Sequence, residues 1–367
     1  MKCLEKDPSR RYENSRALAE DLRRFLKGEP ILARRASIAE KTWKRVKRHP
    51  TVSTAIGVLV LALVLLGIHA LWSSHTNQLR RTYDQTFDRE VAFVEETLRF
   101  AFTSPLHDIG PERDKVLNRL TDLEERIERE SRLAKPSGYY ALGRGYLDLG
   151  DWNRALEFLQ KAWDQGNRRP ESAYALGRAL GEVYFEELSQ LEGIRDRELR
   201  EKRRKELEVE YRIPAITYLN ASQGMDIASP AFVEGLILYY EKRYDQAIAR
   251  VEEAIQEVPW LYEARSLKGR ILRAMAEKSL EEGKTESGVS MMENAMIATQ
   301  SAVATAPSDP GSLLDLCRLR TGLLKFPVFI QENNLDALMN DATSACEQAM
   351  TADPTSPLPS TFLAMAW

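Results

Sequence analysis

The chain has little of what enzymes and metalloproteins use for chemistry. Its 367 residues include only four histidines and three cysteines. None of these side chains stands at the spacing that metal ligands require, and three cysteines are too few for a disulfide scaffold. We therefore expect no metal centre and no cofactor in this chain.

Two of the cysteines, Cys317 and Cys346, lie in the C-terminal part of the chain, whereas Cys3 lies near its start. A disulfide between the two later cysteines is one interpretation, and it requires that their part of the chain lies outside the cytosol. The other interpretation is a pair of small apolar core residues. The sequence favours this second, unpaired state.

Charged side chains are missing from residues 51–72, which read TVSTAIGVLVLALVLLGIHALW. At ~1.5 Å per residue, a helix of these 22 residues is roughly 33 Å long, enough to cross a hydrocarbon core of about 30 Å. A buried core helix is the alternative, but such helices seldom lack every charge. A cleaved signal peptide fits poorly, because its apolar region is shorter and lies nearer the N-terminus. The segment predicts one transmembrane helix.

Positive charge is concentrated before this apolar segment. Residues 1–50 hold 15 Lys/Arg against 7 Asp/Glu, whereas the remainder holds 37 against 48. The basic juxtamembrane stretch 36–50 and the residues just before it contribute Arg34, Arg35, Lys41, Lys44, Arg45, Lys47 and Arg48. Basic flanks stay in the cytoplasm. We therefore expect a single-pass inner (cytoplasmic) membrane protein with a cytoplasmic N-terminus and a periplasmic or otherwise extracytoplasmic C-terminal part.

Basic stretches also bind anionic lipid headgroups or nucleic acid. In residues 36–50 the role of a topology signal already accounts for the charge. A second charged run, RDRELREKRRKELEVE at 195–210, interleaves acidic and basic residues and is typical of a solvated helix. We expect no nucleic-acid partner.

Residues 1–35 predict one short helix after a turn. Asp7 precedes a proline and marks the turn, Asn14 or Ser15 caps the helix, and Gly28 ends it. The apolar face of this helix consists of Leu18, Leu22, Phe25 and Leu26. A single amphipathic helix of this length is not stable alone, so it needs a surface to pack on.

The sequence of this segment, CLEKDPSRRY followed by LKGEPILAR, resembles that of the last helices of the C-lobe in bacterial Ser/Thr protein kinases. The resemblance covers about 35 residues, with Asp7 and Arg11 in its motif. In that family the arginine matching Arg11 forms a buried ion pair with a glutamate at the end of the activation segment. This chain lacks that glutamate, so the resemblance does not transfer the role intact.

The motifs that carry phosphoryl transfer in a kinase are absent from these residues. There is no glycine-rich G-x-G-x-x-G loop after a strand, no strand lysine in V-A-I-K, no H-R-D and no D-F-G. We therefore expect no catalysis by this chain. Two explanations fit this kinase-like segment: a misplaced start codon in a kinase gene, or a gene that lost its catalytic domain. The first is favoured, because Met1 falls within what should be a packed helix.

Helical repeats occupy residues 136–367. Gly143 and Gly177 are 34 residues apart in the contexts YYALGRGYL and SAYALGRAL, and Gly235 and Gly269 are again 34 apart. With the small residues and proline that follow, the pattern resembles the tetratricopeptide (TPR) repeat. Its predicted core positions are Gly143, Ala155, Ala162, Gly177, Gly235, Ala247, Ala254, Pro259 and Gly269. The resemblance implies an all-α solenoid of stacked helix pairs.

Each pair needs small residues where its helices touch, so we expect Gly143 to face Ala155 and Gly235 to face Ala247. Other copies are irregular. A charged insert, roughly 186–210, displaces the second helix that belongs to Gly177, and the later units are longer. Their small residues are Ala295 and Ala302 before Pro307, and Ala342 and Ala349 before Pro354.

Two further helices are expected at 79–102 and 112–134, between the membrane segment and the repeats. Apolar residues recur at helical spacing in both, at Tyr83, Phe87, Val91, Val94 and Leu98 and at Val116, Leu120, Leu123 and Ile127. Their stripe is too short for a stable coiled coil. A hairpin that caps the solenoid is therefore favoured over a stalk in this 79–134 region.

These patterns predict a membrane-anchored TPR module that binds a protein or peptide and serves as the sensor or scaffold of a signalling protein. The groove is predicted near Tyr139, Arg144, Arg178 and Arg270. One alternative is a fragment of a receptor-type Ser/Thr kinase, which needs ATP and an upstream catalytic domain. Another is a passive structural scaffold.

Overall fold

The computed structural model describes residues 2–29, 31–32, 50–193, 196–225, 229–332 and 334–366. Most of the basic stretch 36–50 lies outside these residues. The chain divides into two compact units, Met1–Gln78 and Leu79–Trp367. All regular elements of the described residues are helical.

In the first unit, short 3-10 turns at Lys2–Leu4 and Pro8–Arg10 precede helix α1 (Ser15–Leu26). The Asp7 carboxylate accepts the Ser9 amide at the second turn. Asn14 is the N-cap of α1, because its side-chain oxygen accepts the Ala17 amide at 2.8 Å. The helix ends before Gly28, whose φ of 71° suits a residue without a side chain.

Helix α2 (Pro50–Thr103) runs without a break through the apolar segment and through the first helix expected after it. Residues 73–78, which lie between the two segments, belong to the same helix. That stretch is polar but contains neither glycine nor proline, so nothing in it interrupts the backbone hydrogen bonds. By length and composition α2 could cross a membrane, and its apolar window is exposed.

In the second unit, residues 79–103 of α2 and helix α3 (Gly110–Arg129) form a hairpin through the loop 104–109. Helix α3 ends five residues before the predicted boundary at 134. Of the predicted apolar stripe, Tyr83 is partly buried. The hairpin buries the others, namely Phe87, Val91, Val94, Leu98, Val116, Leu120, Leu123 and Ile127. These side chains belong to the same core as the first repeat, so the hairpin packs on the array.

The remaining helices form successive pairs. The pairs are α4 (Lys135–Asp148) with α5 (Trp152–Asp164), α6 (Pro170–Gln190) with α8 (Ile213–Ala221), α9 (Pro230–Tyr240) with α10 (Tyr244–Glu257), α11 (Tyr262–Glu281) with α12 (Thr285–Thr305), and α13 (Pro310–Leu323) with α15 (Leu335–Ala352). Helix α7 (Arg197–Leu207) lies within the second pair and α14 (Pro327–Glu332) within the fifth, and α16 (Leu358–Ala366) follows the array. The predicted all-α fold with a TPR-like α-solenoid is confirmed.

Close helix contact explains the repeated glycines. A Cβ built on Gly143 would lie 2.5 Å from Leu159 Cγ, and one on Gly235 would lie 2.6 Å from Val251 Cγ2. The residue opposite each glycine is thus four positions beyond the expected alanine. Ala155 and Ala247 are buried one turn away. The larger neighbour fills the space that the missing side chain leaves.

The insert after Gly177 loops out while the pairing continues. A Cβ on Gly177 would lie 2.8 Å from Leu219 Cγ, on the displaced helix α8. Helix α7 and a π-helical turn at Glu208–Arg212 carry the extra residues. Leu207 packs with Tyr184 and Leu191 in a small core that holds the insert in place. The exposed face of the insert carries surface ion pairs.

Cys317 and Cys346 form a disulfide, which corrects the expectation of two unpaired core cysteines. The bond joins α13 to α15, the two helices of one pair, and both cysteines are fully buried. Their Cα atoms are 4.6 Å apart, within the range that a disulfide spans. Sequence spacing alone does not show which helix faces meet.

Candidate functional site

The first helices of all five pairs, α4, α6, α9, α11 and α13, line one cavity of about 310 Å³ together with α2. We call this side of the array the inner face. Every wall residue belongs to the second unit. Apolar walls come from residues such as Leu98, Phe102, Leu236, Leu261 and Leu267, and charged groups lie between them. The cavity thus joins side chains that are far apart in sequence.

The hairpin of the protein itself occupies part of the inner face. Successive polar contacts hold α2 and the loop 104–109 against the repeats: Asp88 with Arg169, Glu95 with Arg144, Arg99 with Glu263, the Phe102 carbonyl with the Ser308 amide, and the Ile109 amide with the Ala352 carbonyl. These contacts reach from the first pair to the fifth. The sequence predicted a cap at one end, whereas the hairpin extends along the whole array.

Three of the four predicted groove residues, Arg144, Arg178 and Arg270, line this cavity. Each arginine directly follows a repeat glycine, at Gly143, Gly177 and Gly269. Because the glycine contacts the second helix of its pair, the next residue is rotated by about 100° toward the other side of the first helix. Three of the repeat units thereby place an arginine on the inner face, whereas Gly235 is followed by Leu236.

The arginines are embedded among carboxylates. Arg144 contacts Glu95 and lies 3.8 Å from Asp148. The Arg270 Nε donates to Asp315 Oδ2 at 2.7 Å. Within the described part of the chain, no group of three or more His, Cys, Asp or Glu side chains could hold a metal ion. The site therefore offers charge and hydrogen bonding.

Two carboxylates that line the cavity are buried, and neighbouring groups compensate their negative charge incompletely. Burial raises the pKa of Asp148, and the Oδ2 atom of this residue is buried with no hydrogen-bond partner in the described structure. Burial also raises the pKa of Asp309 from its ordinary 3.8 to about 6. A buried charge without full hydrogen bonding is costly, so both groups are candidates for contact with a ligand.

Tyr139, the fourth predicted groove residue, lies elsewhere. Its ring stacks on Phe158 at 6.2 Å, and its hydroxyl donates to Glu128 Oε1 at 3.0 Å. Burial raises the pKa of this hydroxyl. Tyr139 therefore joins the first pair to α3 and does not line the cavity.

The acidic partners of the arginines were missed at the sequence level, although a signal was present. Asp148 follows Arg144 by four residues, and Glu182 follows Arg178 by four. An acid four residues after a repeated arginine lies one turn further on the same helix face. The recurrence of this pattern after 34 residues predicts a charged inner face.

The two residues of the kinase-like segment lie in the first unit and take local roles. Asp7 caps a turn, and Arg11 Nε donates to the Glu5 carbonyl at 2.8 Å. Arg11 is exposed and has no carboxylate partner among the described residues. The apolar face of α1 is also exposed, with Phe25 at 67% and Leu26 at 84% of their surface accessible.

No family model matches the chain, and no curated protein sequence matches it. Among solved structures, the chain is similar to YrrB, a TPR protein with an unusual peptide-binding site, at 14% identity and a TM-score of 0.29 over 65% of this chain and 96% of YrrB. It is similar to the C-terminal part of a TPR repeat-containing protein from Cytophaga hutchinsonii, at 14% identity and a TM-score of 0.28 over 77% and 99% of the two chains. It is also similar to the S. pombe nuclear import adaptor Nro1, at 15% identity and a TM-score of 0.36 over 78% and 100%. Its function must be inferred from its own residues.

Proposed function

We propose that this chain is a membrane-anchored, non-catalytic TPR-like module that binds a protein or peptide at the inner face of its repeats. The observation that carries the proposal is the convergence of Arg144, Arg178 and Arg270 on one cavity. Repeat arrays present extended surfaces of this kind, and arginine binds carboxylate and backbone groups through a rigid fork of donors. The module would act as a sensor or scaffold.

The apolar stretch 51–72 of α2 is the proposed anchor, with the N-terminus in the cytoplasm and the repeats outside it. Two observations support this orientation. Basic residues precede the stretch, and the disulfide between Cys317 and Cys346 is typical of an oxidising compartment. Protease treatment of intact spheroplasts tests the orientation. We expect the repeats to be digested; their protection until lysis would contradict it.

A displayed peptide library, selected against the full chain in detergent micelles, tests binding at the inner face. We expect the selected peptides to bind at least about tenfold more weakly to Arg178→Glu and Arg270→Glu variants, because each replacement removes a donor and repels carboxylates. Arg204→Glu is the matched control, since Arg204 is exposed on α7 outside the cavity. Equal binding to all three variants would contradict an inner-face site.

A second proposal concerns the first unit. The segment CLEKDPSRRY resembles a kinase C-lobe tail, and Phe25 and Leu26 on α1 are exposed in the described part of the chain. Residues 2–32 would complete a Ser/Thr kinase domain of a longer protein. An immunoblot of native membranes against the repeats tests this proposal. A band near 41.8 kDa supports the module alone, and a band larger by a kinase domain supports the receptor kinase.

A further inference from the structure

The cavity contains two charged side chains to which the protein supplies no hydrogen bond. Among the described residues, Arg178 makes none, and its nearest carboxylate, Glu182, is 3.9 Å away and also accepts from Arg270 at 3.2 Å. Asp148 likewise makes none, and its nearest cation, Arg144, is 3.8 Å away. An arginine carries five donors and a carboxylate about four acceptor sites, so much bonding capacity is unused here.

Arg178 and Asp148 carry opposite charges but do not satisfy each other. Arg178 lies on α6 and Asp148 is the last residue of α4, and both line the same cavity. The positive charge of Arg178 acts on the Asp148 carboxyl and counteracts the rise of its pKa. No ion pair within 4.0 Å joins the two in the described structure. A molecule with one anionic and one cationic group would supply the hydrogen bonds that both side chains lack.

A third unused group lies on the same cavity. Glu263 receives a hydrogen bond from Arg99 on one oxygen, at 3.0 Å, while its Oε2 is buried without a partner. The cavity therefore offers two carboxylates, Asp148 and Glu263, for one cation. For one anion it offers the guanidinium of Arg178, which is ion-paired with Glu182 at 3.9 Å but makes no hydrogen bond among the described residues. Leu98, Phe102 and Leu261 form an apolar wall beside them.

We propose that this cavity binds a small zwitterion of the α-amino acid class, with the ligand carboxylate on Arg178 and the ligand ammonium on Asp148 and Glu263. Two parallel N–H bonds from the guanidinium fork hold a carboxylate. The ammonium donates to the carboxylates after a rotation about their terminal bonds. The ligand side chain contacts the leucines and Phe102, so apolar amino acids are favoured over charged ones.

The size of the cavity agrees with this class of ligand. A volume of about 310 Å³ equals roughly ten water molecules at ~30 Å³ each. A free leucine or phenylalanine molecule fits this volume with some water remaining. The inference concerns the same inner face as the proposed function and does not depend on membrane anchoring. Amino-acid binding without binding of any selected peptide, or the reverse, distinguishes the two proposals.

Isothermal titration calorimetry on the full chain in detergent micelles tests the inference. The probes are L-leucine and L-phenylalanine, each compared with its N-acetyl derivative, which lacks the ammonium, and its amide, which lacks the carboxylate. We expect saturable binding of the free amino acids and at least about tenfold weaker binding of both single-charge analogues.

Variants locate the site. Arg178→Gln and Asp148→Asn each remove one charge of the proposed pair and are expected to weaken leucine binding by about 10- to 100-fold. Arg204→Gln and Asp164→Asn are the matched controls on exposed surface and should leave binding unchanged. Arg178→Lys keeps the charge but loses the fork, so we expect an intermediate loss.

Two results would overturn the inference. One is the absence of saturable heat for every free amino acid up to about 10 mM, the weak limit of useful affinity. The other is binding of the single-charge analogues as tightly as the zwitterions. Circular dichroism checks that each variant retains its helices, and if a variant unfolds, the analogue series on the unchanged protein decides alone.

Discussion

Asp309 offers a direct measure of how strongly the cavity disfavours charge. The residue caps α13, where its Oδ2 accepts the Ser312 amide at 2.8 Å. An Asp309→Asn variant keeps the cap, because asparagine is an equally good N-cap residue, but it removes the titrating group. The comparison therefore isolates the cost of the buried negative charge.

The expected size follows from the pKa. Burial raises the pKa of Asp309 from 3.8 to about 6, and each pKa unit corresponds to about 1.36 kcal/mol. Since the folded state holds the proton more tightly, its stability falls as pH rises from 3.8 to about 6 and is then constant. Above this window we expect Asp309→Asn to raise the free energy of unfolding by up to about 3 kcal/mol.

Urea denaturation of the full chain in detergent micelles, followed by circular dichroism, measures this difference. We expect the variant to be more stable at about pH 8 and the two proteins to be equal at about pH 3. Groups that do not interact with Asp309 titrate alike in both proteins, so they cancel. A gain of the same size at both pH values, or no gain at about pH 8, would refute the reasoning.

Two further predictions concern packing and redox chemistry. Gly143→Ala should lower the free energy of unfolding, measured by urea denaturation, by about 1–3 kcal/mol, since the new Cβ would lie 2.5 Å from Leu159. The control is Gly322→Ala, because a Cβ at this position has nothing within 4 Å. We expect this variant to be more stable by about 0.5–1 kcal/mol. Reduction of the bond between Cys317 and Cys346 should lower the unfolding free energy by about 3 kcal/mol. An unchanged denaturation midpoint after reduction, with free thiols verified by mass shift on alkylation, would contradict this prediction.

The repeats could be recognised in the sequence because their pattern follows from the local geometry of each helix pair. Gly143 and Gly177 mark the tight contact within each pair, and the 34-residue period carries over to the arginine that follows each glycine. This let the sequence predict the pairs, and three of the four residues named for the groove line the cavity. The displacement of helix α8 could also be predicted, because the charged insert at roughly 186–210 interrupts the repeat pattern after Gly177.

What the sequence could not show depends on contacts between distant segments. Helix α2 continues past residue 72 because no glycine or proline interrupts it there. The stretch that follows is polar and resembles a loop in composition, so its helical state could not be recognised from the sequence. The disulfide requires that α13 and α15 present their cysteines to each other. The placement of the hairpin along the inner face depends on pairs such as Glu95 with Arg144, which share no local pattern.

The contacts of the loop 104–109 with the end of the array also affect how the chain folds. Arrays of stacked pairs normally acquire structure from neighbour to neighbour, and their ends fray separately. Here the Ile109 amide bonds to Ala352, and the His107 amide bonds to Ser308 from 201 residues away. During synthesis the hairpin must wait for the fifth pair before these bonds form, with its apolar stripe exposed in the meantime. We infer slow closure from this long-range bonding and a single cooperative loss of structure, in place of stepwise unfolding from the ends.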